Sequence, residues 1–371
     1  MNILFACGGT AGHINPAVSL ARLFSSRRPG SRILFVGAEG GMECTLVPKE
    51  GFDLRTVQVS SLHRSLKWEA FKHNLKTAAT LPLAGRQSAE IIKEFKPDIA
   101  VGTGGYVCYP VLRQAAKLGI PTAVHESNAF PGLTTKALAK YVDIVMVGFE
   151  SSKAFYSHPE RVTVTGTPVR GDFFEITREE ARRKLNLAGD KPLLVSFWGS
   201  LGASVMNGHM ADFIARECAE GAPFHHIHGA GNGYKALTGA LKERGITLPP
   251  GVEVREYIYD MPLVMAASDL VLCRAGASTI SELTAISKPA ILVPSPNVTS
   301  DHQTKNARVL EEAGGALLLG ESDCGEGRLY EAAAVLLRDA PRRRRMASAM
   351  GALGAPDAAE QIYAALLKLV H

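Results

Sequence analysis

A short apolar run that breaks on glycines and then opens a helix occurs twice in this chain. That repeated unit limits the folds available to it. The first copy is Asn2-Ile3-Leu4-Phe5-Ala6, then Gly8-Gly9-Thr10-Ala11-Gly12-His13, then a helical pattern from Pro16. The second is Leu193-Leu194-Val195-Ser196-Phe197, then Gly199-Ser200-Leu201-Gly202-Ala203, then a helix through Phe213. A strand ending in glycines at a helix N-terminus lets backbone N–H groups approach a phosphate or a sugar. One such unit suggests a nucleotide fold. Two suggest two domains facing each other, with a reaction in the cleft between.

Further strands are expected at 32–36, 54–59, 99–101, 122–124, 144–147 and 162–165, and again at 225–228, 252–256, 270–273, 290–293 and 316–319. Several are apolar at consecutive positions, as parallel strands buried on both faces are. Helical patterns such as 84–95, 205–219 and 278–286 separate them. The alternation predicts an α/β protein with two doubly wound, Rossmann-like parallel sheets. A length of 371 residues is comfortable for two cores. The turn-rich run Gly166-Thr167-Pro168-Val169-Arg170-Gly171-Asp172 divides the two series. Domains are therefore expected at 1–165 and 166–355, with the last helix, 356–371, packing back on the first domain.

Hydrophobic residues make up 46% and charged residues 21%, an ordinary globular composition. The formal charge of +5 permits an anionic substrate or membrane surface without selecting one. No nucleic-acid partner is expected. None of the six cysteines forms a C-x-x-C pair, so reduced buried thiols are expected in place of disulfides or zinc. The chain opens on a strand-like run with no basic leader, so no signal peptide is expected. No apolar run reaches the length of a membrane span.

Three polar clusters fall at strand ends in the first half. The first loop has G-x-x-x-G spacing, not the G-x-G-x-x-G of dinucleotide folds, and ends on His13. A neutral imidazole at a helix start can accept a proton from an attacking hydroxyl. Gly102-Thr103-Gly104-Gly105-Tyr106 follows the strand at 99–101, and His125-Glu126-Ser127-Asn128 follows the strand at 122–124. In a parallel sheet these ends line one crevice, where Gly104, Gly105, Tyr106 and His125 would meet a bulky polyhydroxylated ligand. In the second half, Cys273-Arg274-Ala275-Gly276-Ala277-Ser278-Thr279-Ile280-Ser281-Glu282 ends a strand and opens a helix. Its N-terminus suits a diphosphate and Glu282 a ribose diol. A capping box on Ser278 or Thr279 explains the same residues. Asp301-His302-Gln303-Thr304-Lys305-Asn306 opens another helix, from which Gln303 could face the same crevice.

Taken in order, Gly-Gly-Thr-Ala-Gly-His, Gly-Thr-Gly-Gly-Tyr, His-Glu-Ser-Asn, Gly-Thr-Pro-Val-Arg, Gly-Ser-Leu-Gly-Ala, Arg-Ala-Gly-Ala-Ser-Thr-Ile-Ser-Glu and Asp-His-Gln-Thr-Lys-Asn-Ala span nearly the whole chain. This set resembles the MurG family of N-acetylglucosaminyltransferases of bacterial peptidoglycan synthesis. The resemblance implies a GT-B fold. It also implies transfer of GlcNAc from UDP-GlcNAc to the C4 hydroxyl of undecaprenyl-linked MurNAc-pentapeptide (lipid I), with inversion, giving lipid II. Carried over residue by residue, the family's donor contacts fall on Thr10, Ala11, Gly12, Asn128, Arg170, Ser200, Ile258, Ala277, Ser278, Thr279, Ile280, Ser281, Glu282 and Gln303. The base is expected at His13, with Glu126 as the alternative. With no D-x-D at a donor-side strand end, neither a catalytic metal nor a cofactor is expected.

Two positions depart from the family pattern: Ala11 stands where the family usually has glycine, and so does Trp198. The added methyl of Ala11 is harmless unless φ is positive. Trp198 either narrows the donor pocket or packs beneath it. Because the implied acceptor is lipid-anchored, Leu62 to Lys76, which mixes bases with Leu, Trp68 and Phe71, is expected to meet the anionic cytoplasmic face of the cell membrane. The rivals are an NAD-dependent oxidoreductase, another GT-B UDP-sugar enzyme (transferase or epimerase), and a non-catalytic UDP-sugar binder.

Overall fold

The computed structural model describes residues 1–59, 68–187, 189–199, 202–298 and 301–370, with backbone alone for 68–79. The chain divides into two compact units, Met1–Arg170 with Ala355–His371 and Gly171–Gly354. In the first, strands β1 (Asn2–Ala6), β2 (Arg32–Ala38), β3 (Asp53–Val57), β4 (Ile99–Gly102), β5 (Thr122–Glu126), β6 (Ile144–Val147) and β7 (Val162–Val164) alternate with helices α1 (Ala11–Arg27), α2 (Glu43–Lys49), α3 (Trp68–Phe95), α4 (Cys108–Lys117) and α5 (Leu133–Leu138). Every pairing is parallel, in the order β3-β2-β1-β4-β5-β6-β7. Alternate residues of one strand feed two different cores. Leu4 and Ala6 join Val36, Ala100 and Val124 on one face of the sheet. Ile3 and Phe5 join Phe35, Ile99 and Val101 on the other.

The second unit repeats the plan with β8 (Leu193–Phe197), β9 (His225–Gly229), β10 (Val252–Arg255), β11 (Leu270–Cys273), β12 (Ala290–Leu292) and β13 (Ala316–Leu318) in the order β10-β9-β8-β11-β12-β13. Its helices are α6 (Arg178–Lys184), α7 (Ser204–Ala219), α8 (Tyr234–Glu243), α9 (Met261–Ala267), α10 (Ala277–Ala285), α11 (His302–Glu312), α12 (Arg328–Arg338) and α13 (Ala340–Leu353). In each unit the strand order reverses once, between β1 and β4 and between β8 and β11. Ligands of open α/β sheets bind outside the carboxyl ends of the strands at such a reversal. The glycine-rich loops sit there.

The terminal helix α14 (Ala358–Leu367) packs on α1. Ile362 and Leu366 are fully buried in the core that also holds Ile14, Val18 and Phe24. Burying two such side chains stabilises by about 1.5–3 kcal/mol each. Phe24 and Tyr363 have ring centroids 4.7 Å apart, and Arg27 pairs with Glu360 at 2.6 Å. The unit boundary falls at Arg170, five positions beyond the one expected from the turn-rich run. His125 Nε2–H donates to the Gly166 carbonyl at 2.8 Å and Ser19 Oγ–H to the Val169 carbonyl at 3.2 Å, so 166–170 stay with the first sheet.

All six cysteines are unpaired thiols. Beneath β8 and β9 lies a polar chain. Ser196 Oγ stands 2.8 Å from His226 Nε2 and 2.7 Å from His228 Nδ1, and His226 Nδ1 is 2.7 Å from Glu217. This is the Ser–His–acid order of a hydrolase. All four groups are 0% exposed, so no substrate reaches them and the chain is structural.

Candidate active site

The β1–α1 loop was expected to lead into a helix at Pro16. The helix instead begins at Ala11, placing His13 in its first turn and Pro16 inside it. Thr10, in extended conformation, is the N-cap and makes no side-chain cap. Ala11 is not among the positive-φ residues, so its methyl group adds no backbone strain. His13 is half-buried, and its Nδ1 lies 2.9 Å from the Gly8 carbonyl and 3.4 Å from Thr10 Oγ1. A carbonyl can only accept, so Nδ1 carries the proton. In the neutral ring that leaves the lone pair on Nε2.

The β4–α4 loop packs directly on this histidine. A Cβ on Gly104 would stand 2.4 Å from His13 Cδ2, and one on Gly105 would stand 2.3 Å from the Gly8 carbonyl oxygen. Both have positive φ, +119° and +92°, so two independent constraints select glycine at each. Gly8 N–H donates to the Gly104 carbonyl at 3.2 Å, and Thr103 Oγ1–H to the His13 carbonyl at 2.6 Å. Tyr106 is half-buried with its ring edge over Gly9. Burial, and then the charge of Glu43, push its phenol pKa up.

The β5 cluster differs from expectation. Glu126 is buried, and both its oxygens are saturated: Oε1 accepts from Asn128 N–H (3.0 Å) and Nδ2–H (2.9 Å), Oε2 from Gly132 N–H (2.9 Å) and Thr135 Oγ1–H (2.8 Å). Four donors occupy all four lone-pair directions of the carboxylate. Glu126 therefore orders the 127–135 loop and fixes the Asn128 amide, with no lone pair left to take a substrate proton. His125 is 0% exposed with Nε2–H on the Gly166 carbonyl, and burial pushes its pKa down. It ties β5 to the loop after β7 and has no surface to offer an acceptor.

In the second unit, α10 starts at Ala277 with Gly276 as an extended N-cap and no side-chain cap. The capping box on Ser278 or Thr279 is not formed. Ser281 Oγ–H turns back onto the Ala277 carbonyl at 2.9 Å, while Ile280 is fully buried and Glu282 half-buried. Helix α7 likewise starts uncapped at Ala203. By contrast α6 has a complete capping box between Thr177 and Glu180. Ile258 is buried, with its side chain in the interior against Gly229. Gln303 Oε1 accepts from Ser295 N–H at 2.9 Å, holding the loop after β12. Trp198 is 3% exposed within the core beside Ala230 and Val293, so it packs beneath the β8 loop and does not narrow a pocket. Arg170 is half-buried at the end of the first unit. Ser200 and residues 62–67 of the basic-aromatic segment lie outside the described residues, and Trp68 opens α3.

Two residues were not anticipated from sequence. Arg274 donates to the Val293 (3.2 Å) and Pro294 (3.1 Å) carbonyls and pairs with Glu321, joining the loops after β11, β12 and β13. Glu43 is 0% exposed and accepts from Ala38 N–H at 2.7 Å and Gly9 N–H at 3.1 Å. Its side chain fills space that a Cβ on Gly8, Gly37 or Gly41 would occupy: the carboxylate at 2.3 Å from the first and 2.6 Å from the third, and Cγ at 2.3 Å from the second. A cluster of glycines around one acidic residue at the β2–α2 junction was the available signal.

Two parallel sheets of this order, each with glycine loops at its reversal, define a GT-B fold. The glycosyltransferase family 28 N-terminal domain matches residues 3–147 and its C-terminal domain residues 193–362. A relative from Acetivibrio thermocellus, named UDP-N-acetylglucosamine--N-acetylmuramyl-(pentapeptide) pyrophosphoryl-undecaprenol N-acetylglucosamine transferase, is 41% identical over 363 residues, covering 98% of this chain and 96% of its own. One from Bacillus cereus, carrying the same name with the number 1, is 38% identical over 370 residues and 100% of both chains. The crystal structure of Acinetobacter baumannii MurG aligns over 99% of each chain with a TM-score of 0.76 at 24% identity. The chain belongs to glycosyltransferase family 28 and, within it, to these peptidoglycan N-acetylglucosaminyltransferases, the MurG family.

Proposed function

We propose that this enzyme moves GlcNAc from UDP-GlcNAc to the C4 hydroxyl of lipid I in one inverting displacement. His13 Nε2 takes the hydroxyl proton as O4 bonds to the anomeric carbon. The bond from that carbon to the β-phosphate oxygen breaks, and UDP leaves with the electron pair. The observation that carries this reading is the His13 Nδ1–H bond to the Gly8 carbonyl, which leaves Nε2 as the basic nitrogen. The first unit takes the acceptor hydroxyl, beside Gly104, Gly105 and Tyr106. Thr10, Ala11, Gly12 and Asn128 touch the transferred sugar.

The second unit takes the nucleotide: Ile258 through its backbone against the uracil, Glu282 at the ribose, and Ser200, Ser278, Thr279 and Gln303 around the diphosphate. The uncapped starts of α7 and α10, with Arg170, offset the charge of the leaving group. Full activity in EDTA is expected on this account, and a strict requirement for added Mg²⁺ would overturn it. The enzyme sits peripherally on the cytoplasmic face of the membrane through the 62–76 segment. No helix among the described residues is long and apolar enough to cross a membrane. Trp68→Ala with Lys67→Glu should weaken co-sedimentation with anionic liposomes, and unchanged binding would remove the segment from the account. The deciding assay is UDP release from UDP-GlcNAc, expected only when a lipid I analogue is present. Turnover without an acceptor would favour an epimerase.

A further inference from the structure

The peptide group joining Gly8 to Gly9 is held at both ends. Its N–H donates to Glu43 Oε2 at 3.1 Å, and its carbonyl accepts from His13 Nδ1–H at 2.9 Å. A carboxylate drawing on a peptide N–H polarises that peptide and makes its carbonyl a stronger acceptor. A stronger acceptor on Nδ1–H makes Nε2 more basic and fixes the tautomer, the part a directly bonded carboxylate plays in other histidine sites.

We propose that Glu43 is the positioning residue of the reaction, acting on His13 through the Gly8–Gly9 peptide as a carboxylate–peptide–imidazole relay. This rests on reading His13 as the base. The site is built for a carboxylate: Glu43 is 0% exposed, its second oxygen is held by Ala38 N–H, and glycines stand wherever a side chain would displace it. The titratable groups packed around it are Cys7 after β1, Cys44 on α2, Tyr106 and Cys108 at the start of α4, and His13 on α1. Burial raises the Cys7 thiol pKa well above its ordinary value, that of Cys108 to about 12, and that of the Tyr106 phenol, so none of these three ionises near neutral pH.

The test is Glu43→Gln, which keeps the shape but gives the two backbone donors only one acceptor oxygen. Expected are a kcat lower by about tenfold or more, a donor KM within about twofold, and an acid limb of kcat moved to lower pH, because a less polarised peptide leaves His13 less basic. Long-range ¹H–¹⁵N spectra of histidine-labelled protein should show His13 protonated on Nδ1 in the wild type, and a growing Nε2–H population in the variant. A variant that loses only thermal stability, with pH limb and tautomer unmoved, would reduce Glu43 to a packing residue and overturn the relay. If the variant does not fold, the wild-type spectrum still decides, since an Nε2–H tautomer there is incompatible with the proposal. His13→Asn tests the underlying reading separately: normal kcat in that variant removes the base, whatever the spectra say of Glu43.

Discussion

The edge of the His13 imidazole lies against Gly104 so closely that a methyl group on Gly104 would stand 2.4 Å from His13 Cδ2. Gly104→Ala should therefore turn the ring away from its bond to Gly8. Displacing a reacting group by about 1 Å costs on the order of 10²-fold in rate. The variant should also lose about 1–3 kcal/mol, because φ at +119° is strained for alanine. Gly119→Ala is the control: its φ is +72°, yet nothing lies within 4 Å. It should lose stability and keep kcat. Equal kcat losses in the two variants would remove the special role of the Gly104 contact.

Glu126→Gln separates loop ordering from base catalysis. The amide NH₂ would face donors now held by a carboxylate oxygen, leaving at least one buried donor unpaired. That costs about 1–3 kcal/mol. Urea denaturation should show the loss, and kcat should fall with the order of Asn128. The acid limb of the pH–rate profile should stay in place, because Glu126 has four donors and no free lone pair. A displaced acid limb would return Glu126 to the chemistry.

Much of this was legible in the residues. Runs such as Ile99–Val101 and Ile144–Val147 are apolar throughout because both faces of a parallel sheet are covered, and a pattern that local reads directly. The ends of elements were less legible. A proline is favoured at a helix start, yet Pro16 lies inside α1, because the extended Thr10 opens the helix earlier. The roles of neighbours in sequence diverged most. His125 and Glu126 read as one polar cluster, but β5 buries the first and surrounds the second with donors contributed from as far as Thr135. Glu43 stayed unread for the same reason. Its partner Gly9 is 34 residues away, and no periodicity encodes that meeting.

The buried histidines predict a pH-dependent stability with a definite sign. His228 is fully buried, and burial, then the neighbouring His226, pushes its pKa down to about 3. Burial also lowers that of His125 in the other unit. An unfolded chain binds a proton on histidine near the ordinary value of about 6.5, while folded His228 does not until far lower pH. The unfolded state therefore holds more protons in this window, and stability falls as pH drops through it, by about 1.4 kcal/mol per pH unit for His228, with His125 acting in the same direction. Amide exchange in β9 at pH 7.5, 6.5 and 5.5 measures this where His228 sits. His228→Gln should start less stable, since Ser196 loses a partner, but with a shallower slope by about one proton. Identical slopes would mean that His228 is protonated in the folded state.

Trp198 stands where the family usually carries glycine, so replacing it with the family residue would ordinarily be thought mild. Its surroundings argue otherwise. The indole is 3% exposed among Ala230, Ile291 and Val293, with the Arg274 guanidinium 5.9 Å from the ring centroid. Emptying a buried tryptophan site costs about 3–5 kcal/mol. In a unit of this size each kcal/mol lowers the midpoint by about 2–4 °C. Trp198→Gly should thus lose many degrees in Tm without tighter donor binding. Trp198→Phe, which keeps most of the volume and removes an indole N–H that has no partner among the described residues, should stay within about 1.5 kcal/mol of wild type. Had the indole projected into the donor site, Trp198→Gly would lower the KM for UDP-GlcNAc and leave Tm nearly unchanged, so one melt and one titration distinguish the two positions.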